Sequence, residues 1–337
     1  MDENFKLDLK LRPRRMRKSS PILSLCEENS LNLGDLIQPV FVIDGKNKVE
    51  KIDSMPDIQR YTIDKLLKKC EELLALGVNS IALFPSIQQR LKSLNAKEAV
   101  NEKNLPLRAI SAIKKRFPEL VVIADLALDP YTSHGHDGLI DKNSGQILND
   151  ETVEILTAMA LLTAEAGADM VAPSDMMDGR VGSIRENLDL CGFEDCAIMA
   201  YSAKYASTFY SPFREALGSD KAAKTKSLNK LSYQLNPANS RTALLEASLD
   251  EAEGADILMV KPAMYYLDIV AKLRAQSNLP IAAYQVSGEY SMIKNCANMG
   301  FLDLDKAIYE SLISIKRAGC DMILTYFAEH YAKAMIS

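Results

Sequence analysis

The chain has 337 residues, 47% of them hydrophobic and 25% charged, with a formal net charge of -5. That composition suits a globular protein with one large core or two modest ones, and its mild acidity gives no reason to expect nucleic acid or an anionic membrane as partner. No apolar run approaches the roughly 20 residues of a membrane span, no secretory signal is expected, and six scattered cysteines with no CxxC spacing fit reduced thiols in the cytoplasm.

Residues 1–30 precede any strand pattern and carry Lys6, Lys10, Arg12, Arg14, Arg15, Arg17 and Lys18. Such a segment can be a solvated basic tail, a nucleic-acid arm or an arm that packs on another subunit; the acidic remainder speaks against the second. Residues 31–337 read as one unit. Near-continuous apolar runs lie at 36–43, 80–84, 121–126, 170–172, 197–203, 257–260, 281–286 and 322–327. They have strand length without polar alternation, as parallel strands covered on both faces do. Helical patterns separate them, for example at 63–76, 150–166, 267–276 and 305–318.

One joint recurs before four of these strands, as Leu76-Gly77-Val78-Asn79, Ala166-Gly167-Ala168-Asp169, Glu253-Gly254-Ala255-Asp256 and Ala318-Gly319-Cys320-Asp321. The glycine suits the left-handed residue that ends a helix. Eight such alternations predict an α/β protein of the (β/α)8 TIM-barrel class with an extended N-terminal arm. No GxGxxG follows the first strand, which disfavours a dinucleotide-binding sheet. A long polar connection follows the fifth strand, at about 205–239. Its aromatic residues Tyr205, Phe209, Tyr210, Phe213 and Tyr233 predict a lid over the barrel mouth.

In barrels of this class the working side chains project from the C-terminal ends of strands. Here those ends carry Asp125, Ser174, Lys204, Lys261, Ser287 and Tyr326: a carboxylate, two amines and three hydroxyls. A single strand-end lysine is more often one that reaches for solvent. Two at one mouth point to imine chemistry, because burial disfavours the ammonium and frees an amine to attack a carbonyl. Each amine is expected to have a lowered pKa, helped by the other's charge. After the third strand, Asp125, Asp129, His134, His136 and Asp137 fall within one short run. Such donors suit a hard cation such as Mg²⁺, or simply a self-bonded polar loop; without a thiolate they make no structural zinc site.

Several longer blocks are more specific. They include Arg12-Pro13-Arg14-Arg15-Met16-Arg17, Ala172-Pro173-Ser174-Asp175-Met176-Met177-Asp178-Gly179 and Tyr201-Ser202-Ala203-Lys204-Tyr205-Ala206-Ser207. Tyr233-Gln234-Leu235-Asn236-Pro237, Met259-Val260-Lys261-Pro262 and Val286-Ser287-Gly288-Glu289-Tyr290 follow in order. On these blocks the chain resembles the porphobilinogen synthase (5-aminolevulinate dehydratase) family nearly end to end.

The resemblance implies a lyase that condenses two 5-aminolevulinate molecules to porphobilinogen, with loss of two waters, for tetrapyrrole and heme biosynthesis. It implies a Schiff base on Lys261 for the propionate-side substrate and one on Lys204 for the acetate side. Ser287 and Tyr326 would hold the propionate-side carboxylate. Arg214 and Gln234 would hold the other, with a basic lid residue for which Lys230 fits better than Lys224 or Lys226. Asp125 and Ser174 would lie by the acetate-side amino group, Asp125 as a proton shuttle.

The chain departs from the zinc-dependent pattern of three cysteines after the third strand, having Ala127, Asp129 and Asp137 instead. Zinc is therefore not expected, and Asp129 and Asp137 are candidate ligands for Mg²⁺ or a monovalent cation. The aspartate-rich branch also implies an allosteric Mg²⁺ at Glu246, near Arg17 of a neighbouring arm, and a homo-octamer built from dimers. Residues 86–104 lack the glycine-containing loop expected of the family. Two other readings stay open: a class I aldolase using one lysine, and a catalytically inactive metal-sensing scaffold.

Overall fold

The eight apolar runs pair in chain order into one closed parallel sheet in the computed structural model, which describes residues 7–218 and 230–336. The strands are β1 (Leu36–Ile43), β2 (Ser80–Ser86), β3 (Val121–Leu126), β4 (Met170–Pro173), β5 (Ala197–Lys204), β6 (Ile257–Lys261), β7 (Ile281–Gln285) and β8 (Met322–Thr325). Closure comes from β8 against β1, with Leu36 opposite Ile323 and Ile37 opposite Leu324. The fold is the (β/α)8 barrel that the pattern implies.

Each covering helix turns an apolar stripe inward. In Ile63–Ala75 the buried residues are Leu66, Cys70 and Leu73, spaced to share one face. Side-chain caps set two of the starts. Asn104 accepts the Leu107 N–H at 3.0 Å ahead of Leu105–Arg116, and Asp303 accepts that of Lys306 at 3.1 Å ahead of Leu304–Arg317.

The recurring joint has a mechanical reason. Gly77, Gly167, Gly254 and Gly319 all take positive φ, from +83° to +116°, a conformation that costs other residues dearly. In three joints the aspartate then reaches across to the preceding strand. Asp169, Asp256 and Asp321 accept the N–H groups of Val122, Ile198 and Ile281, each at 2.7 Å. The glycine ends a helix, and the carboxylate stitches the base of the next strand to its neighbour.

Other features lie outside the barrel rhythm. A hairpin of Val49–Lys51 and Gln59–Thr62, absent from the sequence reading, follows β1; its second strand runs parallel to the end of β1, with Phe41 opposite Arg60. In 86–104, short turns at Gln89–Leu91 and Lys97–Val100 flank Ala96, which is buried at φ +50°, a left-handed residue without glycine. Residues 7–30 are exposed almost throughout and form only Pro13–Arg17 and Ser20–Leu25. Lys6, Lys224 and Lys226 lie outside the described residues. The described part of the lid holds Thr208–Tyr210 and Ser211–Ala216 and returns through a bridge between Tyr205 and Leu235. No described helix is long and apolar enough to cross a membrane.

Candidate active site

Lys204 and Lys261 are the last residues of β5 and β6, and they stand directly opposite each other in the parallel register. The alignment depends on an irregularity. Leu258 faces Ala200, but Val260 faces Ala203, so β5 spends one extra residue between the two pairs. Without it Lys261 would face Ala203. A one-residue slip turns side chains to the opposite face, so this bulge aims both amines into one cavity, as bulges beside active sites do.

The cavity is lined by Asp125, Asp129, Asp137, Ser174, Lys204, Tyr210, Phe213, Arg214, Lys230, Gln234 and Lys261. It leaves only about 30 Å³ free. Charged side chains fill it at rest. The loop after β3 folds back, with the Leu128 N–H on the Asp137 carbonyl at 3.1 Å, and carries the Asp137 carboxylate into the mouth. There Lys204 donates to Asp137 Oδ2 at 2.9 Å and also to the Ser174 carbonyl. Lys230 pairs with Oδ1, and Gln234 donates to Oδ2 at 3.2 Å.

Lys261 has a different setting. Its Nζ lies 4.5 Å from the ring centre of Tyr284, 4.9 Å from Tyr201, 5.2 Å from Phe213 and 5.3 Å from Tyr210. Burial pulls its pKa down to about 7, and the Lys204 charge pulls the same way against Asp125, Asp129 and Asp137. Ring quadrupoles favour the ammonium, whereas loss of hydration, the largest influence on this group, disfavours it.

Lys204 departs from the expectation of two lowered amines. Burial works against its charge, yet Asp137, Asp129 and Asp125 outweigh it and the pKa is raised. Asp137 shows the converse: burial opposes its ionisation, but Lys204 and Lys230 hold it far below the usual carboxylate range. Asp125 is pushed up to about 6 by burial, against both lysines, and its Oδ1 has no hydrogen-bond partner. Asp129 is raised by burial and then by Asp137.

Ser287 and Tyr326 are not among the residues lining the cavity, but each bonds a residue of the aromatic cage around Lys261. Ser287 Oγ accepts the Phe213 N–H at 3.0 Å and donates to the Phe209 carbonyl at 3.3 Å, while the Tyr326 hydroxyl meets that of Tyr284 at 2.8 Å. Of the two β3-loop histidines, His136 reaches the lid, while His134 Nδ1 accepts the His136 N–H at 3.2 Å within the loop. His136 Nδ1 lies 3.1 Å from the Tyr233 hydroxyl, and burial lowers the pKa of His136 to about 4.

A family model for delta-aminolevulinic acid dehydratase matches residues 10–334. The chain belongs to that family. The member from Bradyrhizobium diazoefficiens is 52% identical over 329 residues, covering 98% of this chain and 92% of its own. The Chlamydia pneumoniae member is 52% identical over 322 residues, covering 96% of this chain and 95% of its own. A crystal structure of the Toxoplasma gondii enzyme, in complex with the reaction product porphobilinogen, matches with a TM-score of 0.95 and 47% identity over 98% of this chain and 93% of that one.

Several residues of this dehydratase-family site escaped the sequence reading. Tyr201 and Tyr284, the strand-borne half of the cage around Lys261, look like ordinary core aromatics in a linear pattern. Glu289 is buried, with its carboxyl pushed up to about 7 by desolvation. It accepts the N–H groups of Met264 and Val286, each at 2.7 Å, tying the turn after Lys261 to the end of β7. Arg180 is buried between Asp175 and Asp250 and donates to the Tyr201 carbonyl at 3.3 Å.

Glu246 lies away from the mouth on Arg241–Ala252, half-buried. Burial raises its pKa against Arg180, and Asp250, Asp178 and Glu253 add to the rise. Carboxylates crowded at a partly wet surface suit a hard divalent cation whose shell water completes. Among the described residues no three His, Cys, Asp or Glu side chains converge closely enough to hold an ion by themselves.

Proposed function

We infer that the protein is a lyase that condenses two 5-aminolevulinate molecules to porphobilinogen, with loss of two waters, on the route to tetrapyrroles. The observation that carries this reading is the register pairing of Lys204 with Lys261 over one cavity in a chain of this family. The two waters are the oxygens of the two ketones, each lost as an imine forms; both lysines leave as free amines.

The charge states order the steps. Lys261, with a pKa of about 7, supplies a free amine near neutrality and attacks the first ketone. Ser287 and Tyr326, bonded to its aromatic cage, take that substrate's carboxylate. Lys204 is held as an ammonium by Asp137, so it must lose a proton before it reacts. The second substrate's carboxylate, on Arg214, Lys230 and Gln234, draws Lys230 away from Asp137. With that partner gone, Asp137 becomes a stronger base for the Lys204 proton. Asp125, poised at about 6, then shuttles protons between the bound substrates.

Mg²⁺ fits the Glu246 surface and would supply charge neutralisation there. In the mouth, Asp129 and Asp137 are hard oxygen donors, and a cation on them would have to displace Lys230. The exposed arm supports assembly, with Leu11 and Leu25 more than four-fifths exposed in the single chain. Together with the family resemblance, this supports a proposed homo-octamer of dimers that uses these arms and responds to Mg²⁺. Six free cysteines support a reducing compartment, the cytoplasm.

Assay with 5-aminolevulinate, with Mg²⁺ and with chelator, tests the activity: pyrrole product is expected, and none under any ion condition sinks the reading. Sedimentation with and without Mg²⁺ tests the assembly. An unchanged oligomer alongside unchanged activity removes the regulatory part.

A further inference from the structure

The hairpin of Val49–Lys51 and Gln59–Thr62 has no part in closing the barrel, yet it grips the base of the lid. Arg60 is largely buried, with 15% of its side chain exposed. Its Nε donates to the Ala216 carbonyl and its Nη2 to the Glu215 carbonyl, both at 2.6 Å. These carbonyls end the short helix Ser211–Ala216; Glu215 also accepts the Gly218 N–H at 2.9 Å, and the arginine fork ties both carbonyls to the hairpin. From the same hairpin loop, the Asp53 N–H donates to Glu215 Oε1 at 3.1 Å.

The other side of this helix is pinned to the barrel. The Phe213 ring packs 5.7 Å from Phe41 and 5.1 Å edge-on to Phe84, and its N–H reaches Ser287. Arg214 stands between the two anchors. Barrel aromatics fix how deep the helix sits, and the hairpin fixes its tilt.

We propose that Arg60 is a positioning residue that sets the direction of Arg214 over the cavity and so the affinity for the second substrate molecule. This rests on the reading that Arg214 clamps a substrate carboxylate. Arg60 touches no reacting atom and acts through the backbone of the lid helix.

The test compares Arg60→Met, Arg60→Lys and Arg214→Met in the full chain, reading KM and kcat for 5-aminolevulinate and borohydride trapping on Lys261 at low substrate. Arg60→Met is expected to raise KM about tenfold, or about 1.4 kcal/mol, with kcat changed much less and Lys261 trapping unchanged. Arg60→Lys, which keeps the charge but has one donor nitrogen in place of the two-nitrogen fork, is expected to raise KM about threefold. KM unchanged in Arg60→Met while Arg214→Met raises it overturns the proposal. KM unchanged in Arg214→Met removes the reading beneath it instead. Should Arg60→Met lack the cooperative melt of the parent, Arg60→Lys decides, and an unmoved KM there overturns the proposal equally.

Discussion

Lys261 sits among four aromatic rings, while Lys204, its partner one strand away, sits among three carboxylates. Both are buried at the same height of the same barrel, and both lose water to a similar degree. Their amines nevertheless shift in opposite directions, one down to about 7 and the other up. Burial alone thus does not make a nucleophile. Where desolvation acts against aromatic faces it wins; where it acts against a carboxylate at 2.9 Å it loses.

The most severe way to break this comparison is to remove the amines in turn. Lys261→Ala is expected to lose both product and the borohydride-trapped imine, product formation falling by on the order of 10⁴-fold or more. Lys204→Ala is expected to lose product as fully but to keep the imine on Lys261. Carbon–carbon bond formation by Lys204→Ala would hand the protein to the single-lysine aldolase reading.

Asp137→Asn sharpens the contrast, because it removes the charge that Lys204 and Lys230 share. Turnover is expected to fall on the order of 10²-fold, with trapping on Lys261 within about twofold of the parent. An equal loss in both measurements would show that the two amines do not occupy separate settings.

The pH profile is a finer probe. Attack needs the free amine, so single-turnover trapping on Lys261 should climb as pH rises through about 7 and fade below it. The Lys204 charge helps to depress the Lys261 pKa, so Lys204→Met should move that climb to higher pH. A profile that stays in place would separate the two amines electrostatically.

The smallest effects concern stability and should have opposite signs. Between about 7 and 10.5 the unfolded chain keeps a proton on Lys261 that the folded chain lacks, so stability rises with pH there. Lys261→Met removes this penalty and should stabilise by about 1 kcal/mol, about 2 °C in Tm. Lys204→Met leaves Asp137 buried with one cation fewer and should cost about 2 kcal/mol. Calorimetry at pH 7 reads both, and shifts of one sign would contradict the contrast.

Much of the fold was legible because its signals are local. The glycine joints at Gly77, Gly167, Gly254 and Gly319 and the eight apolar runs need only neighbouring residues to be read. The outer hairpin was not legible, since Val49–Lys51 is short and exposed and its strand pairing depends on the end of β1. In the site, residue types at strand ends named Asp125, Ser174, Lys204 and Lys261, and the cavity gathers all four. The roles of Glu289 and Arg60 could not be read, because each depends on a distant backbone partner, Met264 at 25 residues and Glu215 at 155.

By itself, then, the sequence determined the barrel, its family and the pair of lysines at adjacent strand ends, all properties of local pattern. Tertiary structure alone decided that the pair would face each other, through one extra residue in β5, and that their protons would differ. The physical reason is that a pKa and a strand register are both set by atoms brought close in space. Asp137 lies 67 positions from Lys204 along the chain and 2.9 Å from it in the fold.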